Sequence, residues 1–225
     1  MPPLPVDIWF DLVCPWCGIG KRRFEAALAE FEHRDDVRVR WRSFELDPHA
    51  PRDATLTIPE RMQQDLGLTA RQAEEGAAGL TALAAELGLV YRLAAARPVN
   101  SFDAHRLLHA AAGRGLGDAV RERLMVAYTG EGAHLADHAT LAALASEVGF
   151  PAADARTVLA GDDHTDAVRA DEEQAARIGV TGVPTVVIAG RRITGAQPPD
   201  LLLAELGAAW RNAGRISLDR SGDLS

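Results

Sequence analysis

The sequence predicts an α/β fold in which a mixed four-stranded sheet, with helices on its faces, is interrupted by a large all-helical insertion. Three observations carry that reading. A strand–helix–strand pattern opens the chain, a strand hairpin followed by a helix closes it, and the long stretch between them has helical periodicity with no convincing strand.

The elements follow in order. Val6-Asp7-Ile8-Trp9-Phe10 is short, apolar and rich in β-branched and aromatic residues, so it reads as a strand, with Trp9 in the core. After Cys17, Phe24, Ala27, Leu28 and Phe31 recur at helical spacing while Lys21, Arg22, Glu25 and Glu32 occupy other faces. Val37 to Arg42 alternates strictly, as a strand with one buried face does. Its phase slips at Phe44 and Leu46, which predicts either a bulge or a strand end buried on both sides. Such a strand–helix–strand unit places its strands parallel with a right-handed crossover. Pro48, Pro51 and Pro59 mark the loop leaving it, and helices are predicted over 73–87, 102–112, 118–128, 139–148, 152–160 and 162–178. Pro184 to Ile188 and Arg191 to Thr194 flank Ala189-Gly190, a two-residue hairpin turn, and Leu201 to Trp210 form a last helix. Residues 1–54 and 166–213 are assigned to the sheet domain, 55–165 to the inserted helical domain, and 214–225 to a polar, flexible tail.

Composition narrows the function. The chain has 225 residues, 47% hydrophobic and 25% charged, enough to bury a core unaided. Its 24 Lys and Arg against 32 Asp and Glu give a net charge of −8, and no basic stretch offers itself to a phosphate backbone, so nucleic acid is not an expected partner. The N-terminus has neither the basic and apolar regions of a signal peptide nor, anywhere in the chain, an apolar run long enough to span a bilayer. The expectation is a cytoplasmic protein that does not engage a membrane. Only two cysteines occur, Cys14 and Cys17, which suits redox chemistry or metal binding better than a secreted disulfide framework.

Cys14-Pro15-Trp16-Cys17 lies where the first strand hands over to the first helix. There, free backbone N–H groups and the helix dipole favour a thiolate at Cys14. Pro15 suits the first helical turn, where its missing N–H costs nothing. Cys17 falls one turn on, within reach of a disulfide, and is expected to be the more buried sulfur. Cys14 is then the exposed, attacking sulfur and Cys17 the resolving one. Lys21, Arg22 and Arg23 are placed to favour the thiolate, and Asp11 to oppose it. The competing reading is half of a zinc site completed by His105 and His109, or by His134 and His138, at i, i+4 spacing. No second cysteine pair exists, and histidines on amphipathic helices are usually surface or core residues, so no metal is expected. Gly182-Val183-Pro184-Thr185 enters the late strand. On its own it admits two readings: a functional proline, or one simply tolerated at a strand's first residue.

Together the Cys14–Cys17 motif, the helical insertion and Gly182 to Thr185 before a hairpin resemble the DsbA-like branch of the thioredoxin superfamily. Within it, Asn100 to Leu107 and Gly195-Ala196-Gln197-Pro198 are most similar to the FrnE-type cytosolic oxidoreductases. The resemblance runs from Val6 to about Trp210. It implies a thioredoxin-like fold and a thiol–disulfide oxidoreductase or isomerase. It also implies a cis Pro184 against the cysteine pair, with Val183 offering backbone groups to an extended client. Pro15 and Trp16 would shape the docking surface, and Asn100 and His105 would face the client. Asn100 or Ser101 is equally good helix N-cap chemistry. Implied partners are disulfide-containing proteins or low-molecular-weight thiols. No resident cofactor is expected, the disulfide itself being the redox group, with glutathione a candidate co-substrate. Two rival functions remain: a glutathione-dependent isomerase or kappa-type transferase, whose members usually carry serine where this chain has Cys14, and a client-binding module without turnover. Oligomeric state and direction of electron flow are left open.

Overall fold

The computed structural model describes residues 3–53 and 55–221. Strand β1 (Leu4–Phe10) leads into helix α1 (Pro15–Glu30), which returns through a single 3-10 turn to β2 (Val37–Ser43). The helical block follows: α2 (Ile58–Leu66), α3 (Ala70–Glu86), α4 (Phe102–Ala112), α5 (Gly117–Val126) with a π turn at Ala127–Glu131, α6 (His138–Glu147) and α7 (Ala152–Ala160). The chain then forms α8 (Thr165–Arg177), β3 (Thr185–Ile188), β4 (Arg191–Thr194) and α9 (Pro199–Ser221). The sheet order is β2-β1-β3-β4, with β1 and β2 parallel and the remaining pairs antiparallel. This is a thioredoxin-like α/β fold with a helical insertion.

Local chemistry explains the boundaries. Thr57 with Glu60 and Thr69 with Gln72 form capping boxes at the starts of α2 and α3, and Asp137 caps α6 through the Thr140 amide. Ala189 and Gly190 both take positive φ, 46° and 87°, as a tight hairpin with matched twist requires. The phase slip after β2 is no bulge. Pairing runs unbroken from Leu4↔Val37 to Phe10↔Ser43, and the Phe44 amide still donates to the Phe10 carbonyl at 3.1 Å, so the slip marks a strand end. A second difference lies at the C-terminus, where α9 continues to Ser221 through most of the segment expected as a tail; residues 222–225 of that expectation lie outside the described residues.

One face of the sheet packs Val6, Ile8, Val186 and Ile188 against Phe24 of α1 and Leu202 and Leu206 of α9. The other places Trp9, fully buried, against Ala175 and Val187, with its indole N–H donating to the Asp171 carbonyl of α8 at 3.0 Å. The Asp171 carboxylate in turn accepts from Arg42 Nη1 and the Ser43 amide, tying α8 to the β2 edge. The largest core runs from Phe10, Leu12, Cys14 and Cys17 directly into Leu107, Leu124, Tyr128 and Phe150 of the helical block. The strand end that carries the cysteines is therefore buried by the insertion, which closes over it.

Candidate functional site

β1 ends at Phe10, and the turn Asp11-Leu12-Val13 delivers Cys14 to the N-cap of α1. Cys14 has extended backbone (φ −92°, ψ 113°) and makes no side-chain cap bond, so its sulfur is not spent on the helix. Pro15 stands at the first helical position, and the Cys17 amide donates to the Cys14 carbonyl at 3.0 Å. Both sulfurs are free thiols. Cys17 is 1% exposed and Cys14 5%. The expected order of burial is present, but Cys14 is not an openly exposed sulfur; it is reached through a groove. Burial pushes the Cys17 thiol well above its ordinary range, and the neighbouring Cys14 adds to that rise.

The Val183–Pro184 bond is cis. It turns the Val183 carbonyl toward the cysteine pair, where it accepts from Cys14 Sγ at 3.6 Å. The Pro184 ring lies over α1 at Gly20, and its carbonyl accepts from the Gly195 amide at 2.8 Å, so Gly195 and Ala196 brace the proline from behind. Trp16 is 46% exposed beside the sulfur. It walls a groove of about 690 Å³ with Val13, Pro15, Ile58, Met62 and Leu80, which brings α2 and α3 of the insertion to the reacting cysteine.

Other expected residues are placed differently. His105 does not face the groove: it is fully buried, with Nε2 3.3 Å from Asp11 Oδ1 and its ring edge-on to Phe10. The polar helix start conceals this, because an amphipathic pattern cannot distinguish a buried paired histidine from a surface one. Ser101 is the N-cap of α4 but its side chain makes no cap bond; Asn100, one residue before it, supplies the side-chain acceptor. Its side chain accepts from the Phe102 amide and donates to the Pro48 carbonyl, pinning the proline loop to the helix. Lys21 and Arg22 are not aimed at the sulfur. Both pair with Glu25 and Glu122, and Arg23 donates to the Ala196 carbonyl. His109 contacts Ser43 and Asp171, and His138 contacts Asp103. Among the described residues no three His, Cys, Asp or Glu side chains group as a metal centre would need.

Two residues at the site had no motif to announce them, and a third, Asp11, is expected from the sequence only as a charge opposing the thiolate. The Tyr91 hydroxyl, from the loop after α3, donates to the Pro15 carbonyl at 2.6 Å. Gly18 admits that hydroxyl, since a Cβ there would sit 2.5 Å from it. Asp11, fully buried, accepts from the Val13 and Leu46 amides, and its own amide donates to Cys17 Sγ at 3.5 Å.

Residues 5–207 match the family described as the DSBA-like thioredoxin domain. The chain belongs to that family. A solved structure, a probable DsbA oxidoreductase from Streptomyces coelicolor, superposes with a TM-score of 0.89 at 40% identity, over 92% of this chain and 90% of the other. The protein YwbO of Bacillus subtilis (strain 168), itself uncharacterized, is 28% identical over 198 residues, 87% of this chain and 92% of its own. The cytosolic disulfide reductase DsbM from Pseudomonas aeruginosa, solved with GSH, shares the fold at a TM-score of 0.60 and 23% identity, over 92% of this chain and all of that one. Membership of the DsbA-like family makes a disulfide oxidoreductase or isomerase the general role of this fold, and among the described residues no helix is long and apolar enough to cross a membrane.

Proposed function

We propose that the chain exchanges disulfides with protein or low-molecular-weight thiol clients through Cys14 and Cys17. The observation that carries this is the free Cys14 sulfur at a helix N-terminus, touching the Val183 carbonyl beside a cis proline at the end of an apolar groove. In reduction, Cys14 thiolate attacks a client disulfide; one Cys14–client S–S bond forms and the client's second sulfur leaves with the electron pair. Cys17 then attacks Cys14 Sγ, the Cys14–Cys17 bond forms, and the first client sulfur leaves as thiolate. Oxidation of a client is the same sequence reversed. Two electrons pass in either direction with no bound cofactor, and glutathione enters, if at all, as a co-substrate. Trp16, Pro15 and the Val183 backbone form the client's docking edge, an extended segment pairing by main-chain bonds. We place the chemistry in the cytosol, in line with the cytosolic disulfide reductase DsbM that shares the fold.

The test is a pair of substitutions. Cys14→Ser should abolish turnover of a disulfide substrate, while Cys17→Ser should accumulate mixed disulfides through Cys14, visible by mass spectrometry. A Cys14→Ser protein that turns over at the native rate overturns the proposal. Conjugation or isomerisation dependent on glutathione in that variant would instead support the transferase-like alternative, and client capture without turnover the binding module.

A further inference from the structure

The groove that leads to Cys14 is apolar along its walls and charged in one place. Trp16, Leu46, Met62, Leu66 and Leu80 line it, and Leu46 and Leu66 stand half or more exposed. Its volume of about 690 Å³ falls in the range that seats a ligand of several large groups. Exposed apolar side chains gathered beside a reacting sulfur suit a client that brings apolar side chains of its own.

The charge comes from α2 and the loop after β2. Among the described residues that line the groove, the charged ones are Asp47, Arg61 and Asp65. Arg61 lies between the two carboxylates, with Nη2 3.2 Å from Asp47 Oδ2 and Nε 3.0 Å from Asp65 Oδ2. One cation is thus shared by two anions, and the groove is left net negative. The Cys14 thiolate adds to that charge when it attacks. Lys21 and Arg22 do not offset it, because Glu25 and Glu122 neutralise them. Asp47 and Asp65 are 41% and 47% exposed, so a docked client meets them directly, and the apolar walls around them focus their field.

We propose that this groove selects its clients by charge: Asp47 and Asp65 favour a polypeptide disulfide flanked by basic and large apolar residues, and disfavour glutathione disulfide. Glutathione carries more carboxylates than ammonium groups and has no large apolar side chain, so it meets repulsion and leaves the walls uncovered. A basic, apolar segment gains on both counts. The selection deepens the redox reading of Cys14 and Cys17 and rests on it. The reaction selected is the same exchange. Cys14 bonds to one client sulfur while the other leaves with the electron pair. Cys17 then displaces the first as the Cys14–Cys17 bond closes, so the client is reduced and the pair oxidised.

The experiment is oxidation of the reduced protein by four disulfides, followed by acid quench, alkylation and mass spectrometry. Three are symmetrical disulfides of end-blocked tripeptides with cysteine between leucine and lysine, glutamine or glutamate; the fourth is glutathione disulfide. Each rate is divided by that of the same disulfide with mercaptoethanol, a neutral thiol, which cancels differences in leaving group. At an ionic strength of about 0.01 M the lysine peptide should react about tenfold faster than the glutamate peptide, with glutamine between them and glutathione disulfide slowest. Near 1 M, where screening reaches about 3 Å, the gap should close to about twofold or less. Asp47→Asn with Asp65→Asn leaves Arg61 as the groove's charge and should reverse the order of the lysine and glutamate peptides. Asp35→Asn with Asp36→Asn makes the same change in net charge at two exposed positions beyond the far end of α1, whose 16 residues span about 24 Å, and should keep the native order. Should the groove variant fail to fold, Asp65→Asn alone, which leaves the groove neutral, should abolish the difference. Equal rates for the lysine and glutamate peptides in the native chain overturn the selection. So do equal shifts in the groove and remote variants, or a glutathione disulfide that outruns the lysine peptide. Oxidation by none of the four instead overturns the redox reading itself.

Discussion

The first turns of α1 are gripped from two sides, and the two grips differ in kind. On the sheet side the Pro184 ring covers Gly20, where an added Cβ would lie 2.7 Å from Cγ and 3.1 Å from Cβ of the proline. That ring is fused to a backbone fixed by the Gly195 bond and by the pairing of β3 with β1. On the helical side the Tyr91 phenol covers Gly18 and bonds the Pro15 carbonyl, but it stands at the end of a rotatable side chain rising from a loop. A backbone grip sets the position of the Val183 carbonyl against Cys14 Sγ and yields only if the strand itself shifts. A side-chain grip secures the same helix while leaving its neighbour free to adjust.

The contrast is broken most severely at Gly20. Gly20→Ala gains about 1 kcal/mol of helix propensity, yet overpacking against a ring that moves only with its strand costs about 1–3 kcal/mol. We expect net destabilisation of about 1 kcal/mol in urea denaturation and slower attack by Cys14, because the strand carrying Val183 must back away from the sulfur. Gly18→Ala makes an even shorter contact, 2.5 Å, but with the tip of a side chain that can swing aside. Loss of one hydrogen bond, about 1 kcal/mol, is then offset by the same propensity gain, so stability should stay close to native. A Gly18→Ala protein less stable than Gly20→Ala would show that the helical side holds the helix more firmly.

The two grips were also unequally legible. The sheet side is written in local rules: proline at the first helical position, proline at a strand's first residue, a two-residue turn at Ala189-Gly190. Such rules can be read from a few consecutive residues, and the strand–helix–strand order and hairpin followed from them. The role of Gly20 could not, since its partner lies at Pro184. Tyr91 is 76 residues from Pro15 and belongs to no periodic element, so nothing in its neighbourhood marks it. Lys21 and Arg22 read as a basic run because their partner Glu122 is a hundred residues away. His105 was misplaced for a related reason. Its buried contact with Asp11 joins two segments 94 residues apart, and a helix start rich in polar side chains looks the same whether its face meets water or a carboxylate. What remained unread is tertiary pairing of polar groups, which leaves no period in the sequence.

Tyr91→Phe removes the helical grip with the least disturbance, and so sharpens the comparison. The substitution keeps the ring in the core and deletes only the hydroxyl that Gly18 accommodates. The Pro15 carbonyl lies in the first turn of α1, where it also has the intrahelical amide four residues on as a donor, so it is not left wholly unpaired. The cost should therefore fall at the lower end for a hydrogen bond, about 0.5–1 kcal/mol, read as a lowered urea midpoint with an unchanged slope. Attack by Cys14 on a disulfide probe should change less than in Gly20→Ala, because the Val183 carbonyl stays where β3 holds it. Should Tyr91→Phe slow that attack more than Gly20→Ala does, the phenol and not the proline would be what aligns the reacting sulfur, and the insertion would share in positioning it instead of merely covering it.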